Sequence, residues 1–99
     1  MVELEYTIHP GEMLQELFLI PLDLTAAKFA DSIKLPVKLV EEIIEGSMDI
    51  TADTALRLAK SLGTTPEMWM NMQSHDDLFN AKKATDLADV EIVNHRSKR

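Results

Sequence analysis

The chain has 99 residues, room for one domain with at most a short tail. Ten Lys and Arg stand against 17 Asp and Glu, and the formal net charge of -7 excludes a diffuse basic coat for nucleic acid. Hydrophobic residues at 45% and charged residues at 27% exclude a disordered chain, and three Gly and four Pro exclude a low-complexity one.

The pattern is helical nearly throughout. A first helix is expected over residues 10–20, opened by Pro10, whose missing N–H is harmless in a first turn. Met13, Leu14, Leu17 and Phe18 form its apolar stripe, and Pro21 ends it. A second, short helix starts at the N-cap Thr25, with Ala26, Phe29, Ala30 and Ile33 on one face. Lys34 and Leu35 break it. Pro36 can open a third helix at a first-turn position, and that helix runs to Glu45 with Gly46 as a left-handed cap.

The fourth helix has Thr51 as N-cap, Asp53 in the first turn where the helix dipole favours an anion, and Gly63 at its end. Ala55, Leu58, Ala59 and Leu62 alternate small and large side chains, which allows close approach to neighbours. Thr65, Pro66 and Glu67 open a fifth helix that continues towards Ala84. Beyond it the pattern weakens. Leu87, Val90, Ile92 and Val93 fit a short helix or strand, or a segment ordered against a partner, and residues 95–99 read as a frayed basic tail. The expectation is an all-α, five-helix domain over residues 1–84 and a C-terminal tail, ordered only in part, over residues 85–99.

Cysteine is absent, which removes disulfides, thiolate metal sites and cysteine nucleophiles and agrees with a reducing cytoplasm. The first six residues have neither a basic region nor an apolar run, so no signal peptide is expected. The longest apolar stretch, residues 17–22, is too short for a bilayer. His9, His75 and His95 are too scattered for a metal site. His75, Asp76 and Asp77 are adjacent on a helix and point in different directions. His9, before Pro10, fits near the first helix's N-cap. Ser32, Ser47, Ser61 and Thr51 lack a visible catalytic partner, and no Gly-rich loop cradles phosphate. Neither a catalytic residue nor a cofactor is expected.

Two short helices, at residues 25–33 and 36–45, are joined by a tight turn, and the second ends in glycine. This is helix-turn-helix spacing. The first helix braces on the DNA backbone and holds the second in the major groove, with Ala30 as the small residue at their crossing. A plain helical bundle also contains such pairs.

Three stretches carry a more specific signal. They are Ile8-His9-Pro10-Gly11-Glu12-Met13-Leu14, the run from Ile50-Thr51-Ala52-Asp53-Thr54 through Ala59, and Gly63-Thr64-Thr65-Pro66-Glu67-Met68-Trp69 through Gln73. Together these resemble the HigA antitoxins, also called virulence-associated protein I, in the phage-repressor-like (lambda-repressor-like, XRE) helix-turn-helix class. The resemblance spans about residues 8–84. It implies a homodimer that binds operator DNA, represses its own operon and neutralises a small basic ribonuclease toxin of the HigB type.

On that fold the recognition helix exposes Val37, Lys38, Glu41, Glu42 and Glu45 and buries Val40 and Ile43. Lys34 and Lys38 bracket its start and suit phosphates, with Thr25 near the backbone. Val37, Glu41 and Glu42 would meet base edges, since a glutamate accepts from cytosine N4. Relatives in the wider class usually carry Ser, Thr, Gln, Asn or Arg on this face. The three glutamates therefore leave a second reading open, a protein-interaction module that no longer reads DNA. A phage-type repressor without a toxin is a third.

Residues 1–32 contain Glu3, Glu5, Glu12, Glu16, Asp23 and Asp31 against Lys28 alone, a segment suited to a basic toxin. Met68, Trp69 and Met72 form an apolar cluster that fits either core packing or the surface of a symmetric dimer. Arg57 reads as an ion-pair residue within reach of a phosphate.

Overall fold

A threonine at the right place starts three of the helices. The computed structural model describes residues 7–94, and its elements there are α1 (Pro10–Leu14), α2 (Ala26–Ile33), α3 (Val37–Glu45), α4 (Ala52–Leu62) and α5 (Pro66–Ala84), with no strand among them. Thr25, Thr51 and Thr65 each accept a hydrogen bond from the backbone N–H three residues on, at 3.1, 3.3 and 3.2 Å. His9 caps α1 in the same way, its Nδ1 accepting from the N–H groups of Gly11 and Glu12. Gly46 and Gly63 close α3 and α4 in left-handed conformations at φ 86° and 71°.

The first helix departs from the expected single α-helix to residue 20. After Leu14 it widens into a π-helical segment, Gln15–Leu19. The amide of Ile20 bonds the carbonyl of Gln15, and that of Leu24 the carbonyl of Leu19, each five residues back. The extra residue per turn brings Leu14 and Leu19 onto one buried face, and Leu17, expected in the stripe, is 59% exposed. Pro36 also differs by one position. It is the N-cap of α3 rather than its first helical residue.

The core gathers Leu14 and Leu19 with Phe29, Ile33, Val40, Ile43, Leu58 and Trp69, so every helix contributes to it. The backbones of α1 and α3 approach closely at Gly11. A Cβ on Gly11 would lie 1.7 Å from the carbonyl oxygen of Ile43, so only glycine lets these two backbones meet. Trp69 packs its ring on Phe18 at 5.7 Å between centroids, and its Nε1–H donates to the Thr64 hydroxyl at 2.8 Å. Past Gln73, α5 leaves the core, and residues 80–94 are exposed, with Leu87, Val90, Ile92 and Val93 facing solvent. Extents of 52 × 26 × 23 Å reflect this projection. The basic tail expected at residues 95–99, and Glu3 and Glu5 in the acidic N-terminal segment, lie outside the described residues.

Candidate nucleic-acid interface

The α2–turn–α3 unit is positioned by its two buried faces. Phe29, Ala30 and Ile33 anchor α2, while Val40 and Ile43 anchor α3. The opposite face of α3 is then solvent-facing. Val37, Lys38, Glu41 and Glu45 are exposed there, and Glu42 is half-buried at the edge of the core. Thr25 lies at the N-terminus of α2, its hydroxyl already accepting from the Lys28 amide. Lys34 is exposed at the turn. All six residues proposed for DNA thus fall on one helix pair.

Their chemistry is unequal. Lys38 Nζ lies 3.8 Å from the Glu42 carboxylate, a loose pair between side chains that are 82% and 31% exposed. Such a pair is weak and breaks readily, so Lys38 stays free to reach a phosphate while Glu42 is partly neutralised. Glu41 and Glu45 have no such partner among the described residues. Glu41 therefore presents an acceptor suited to a base-edge amine, and Glu45 adds uncompensated charge.

Two bracing residues escape the sequence pattern. Arg57 on α4 donates from Nη1 to the carbonyls of Ile33 and Lys34, at 2.9 and 3.3 Å, and from Nε to Asp53 at 2.9 Å. It ties the turn to α4 and fixes where α3 starts. The spacing of Asp53 and Arg57 signals their ion pair, but nothing local signals the reach to a turn 24 residues away. Gln73 is buried. Its Oε1 accepts from the Ile50 amide at 2.7 Å, and its Nε2 donates to Asp77 and Asp49. It holds the loop that follows α3 against α5.

The proposed dimer residues separate. Trp69 has no exposed surface because its ring fills the protomer's own core, so it does not face a partner. Met68 and Met72 are half-buried and line an open apolar groove of about 470 Å³ with Ile8, Met13 and His75.

Known proteins share this architecture. Virulence-associated protein I of Dichelobacter nodosus is 41% identical over 76 residues, covering 77% of this chain and 70% of that protein. The antitoxin HigA-1 of Vibrio cholerae is 38% identical over 72 residues, 73% of this chain and 68% of that one. The chain belongs to the HigA antitoxin family. No protein-family model matches it. Among solved structures, the Pseudomonas aeruginosa antitoxin HigA with the higBA promoter superposes with a TM-score of 0.78 at 37% identity, over 80% of this chain and 86% of that one. The HigA-type chain therefore carries the helix-turn-helix antitoxin fold and is not an enzyme. No helix among its described residues is long and apolar enough to cross a membrane.

Proposed function

We propose that the chain is the antitoxin of a type II toxin–antitoxin pair. It acts as a cytoplasmic homodimer that binds its operator, represses its own operon, and neutralises a small basic HigB-like ribonuclease by stoichiometric binding. The observation that carries this is the solvent-facing start of α3, with Val37, Lys38 and Glu41 projecting from a helix whose other face is locked in the core. The relative solved with its promoter supports the same use of the fold.

Lys34, Lys38 and Thr25 lie towards phosphates in this reading, and Val37, Glu41 and Glu42 towards base edges. Residues 1–84 form the binding domain, with residues 85–99 as its tail. The groove at Met68 and Met72, with the apolar side chains beyond α5, forms the dimer surface. Two copies present two recognition helices at half-site spacing, which a single acidic domain needs for useful affinity.

Co-expression with a neighbouring gene for a small basic protein tests the toxin half. A stable complex and restored growth are expected. Growth arrest unrelieved by co-expression contradicts it. Light scattering across a concentration series tests the dimer, and a monomer throughout removes it. The exposed Glu41 and Glu45 favour one second reading, a protein-interaction module. A confirmed dimer that binds toxin but no DNA at low salt would select it.

A further inference from the structure

A cleft of about 450 Å³ opens between the C-terminal end of α2 and α4, beside the turn that leads into α3. Ser32, Ile33, Lys34, Arg57, Lys60 and Ser61 line it. In a chain of net charge -7, three cations converge here and the lining holds no carboxylate. Lys34 and Lys60 have no acidic partner within salt-bridge distance among the described residues. Arg57 is partly neutralised by Asp53, but its Nη2 donates to no protein group there. The Ser32 hydroxyl is committed to the Lys28 carbonyl, which leaves Ser61 as the hydroxyl donor.

The backbone supplies a second, independent observation. Lys34 caps α2 in the left-handed region at φ 61°, where α3 and α4 end in Gly46 and Gly63. A side chain is disfavoured in that conformation, so a lysine there needs a reason beyond the fold. Arg57 also holds the carbonyls of Ile33 and Lys34, which shapes the cleft before anything enters it.

We propose that this cleft seats a phosphate of the DNA backbone, with Lys34 and Lys60 supplying charge and Ser61 and Arg57 Nη2 supplying directed donors. The seat lies next to the N-terminus of α3, the end that enters the major groove, so it would fix the register of that helix on the duplex. The proposal rests on the operator-binding reading and adds Lys60, Ser61 and Arg57 to its contacts.

The test is fluorescence anisotropy of the full chain with a duplex from upstream of its gene and a scrambled duplex, across a salt series. Each phosphate contact contributes about 0.9 to the slope of log affinity against log salt. Lys60→Gln and Lys34→Gly are each expected to lower the slope by about that amount and to weaken both duplexes by the same factor. Lys34→Gly should do so while raising the melting temperature, which separates lost contact from lost fold. If wild type binds but both variants keep its slope, or lose affinity for the upstream duplex alone, the phosphate seat is wrong and operator binding stands. If wild type binds neither duplex, both fall. Inorganic phosphate that shifts the Lys34 and Lys60 resonances, with unchanged DNA slopes in the variants, would assign the cleft to a free anion and overturn the DNA-backbone assignment.

Discussion

Alanine at Gly11 should damage the fold although Gly11 sits in a helix. Helix propensity alone favours Gly→Ala by about 1 kcal/mol. Packing opposes it. The new Cβ would meet the Ile43 carbonyl oxygen at 1.7 Å and the Ile44 Cα at 2.9 Å, where ordinary contact begins at 3.4 Å. Both partners are backbone, so no side chain can swing aside. Leu14 and Ile43 are buried next to this contact, so separating α1 from α3 also loosens the core. Overpacking of this kind costs about 3 kcal/mol, leaving a net loss of about 2 kcal/mol after the propensity gain. For a domain of this size the urea midpoint should fall by roughly 1–2 M with an unchanged slope. Gly63→Ala is the control, because nothing lies within 4 Å of its Cβ and only its φ of 71° is strained. It should lose about 1 kcal/mol. A Gly11→Ala midpoint equal to or above wild type would refute the close-approach argument.

Substitutions at three further residues probe the supports of the site. Gln73→Leu leaves the Ile50 amide buried without its 2.7 Å acceptor. It should cost about 1–3 kcal/mol in a urea melt and speed exchange of that amide, and unchanged protection would contradict the role. Arg57→Ala frees the Ile33 and Lys34 carbonyls, and should lower operator affinity through a displaced α3. Arg57→Lys should recover little because it lacks the planar fork, so full rescue by lysine would reduce Arg57 to a point charge. Lys38→Ala breaks only an exposed pair, and should shift stability by less than about 0.5 kcal/mol while weakening all DNA sequences alike. A loss confined to one base position would contradict a phosphate role.

The helix boundaries were legible because their signals are local. Thr25, Thr51 and Thr65 each satisfy an amide three residues on, and Gly46 and Gly63 supply left-handed caps. The π-helical segment was not legible, because its register follows from the joint burial of Leu14 and Leu19 against helices distant in sequence. Lys34 marked a break, yet a lysine, unlike glycine or asparagine, carries no signal of a left-handed cap. The run of Met68, Trp69 and Met72 showed apolar character without saying which side faces inward, and the structure gives Trp69 to the core. The acidic face of α3 was visible from spacing. Its partial neutralisation by Lys38 follows the same local i, i+4 spacing, whereas the bracing by Arg57 and Gln73 depends on tertiary contacts.

Operator binding by the full chain is the most direct test of the central claim. Wild-type protein should retard a duplex from upstream of its gene at concentrations about a thousandfold below those needed for a scrambled duplex at the same salt. Substituting Glu41 should relax that preference at one base position. Equal affinity for the two duplexes, or no retardation at low salt by a protein shown to be dimeric, would contradict the claim that α3 reads an operator.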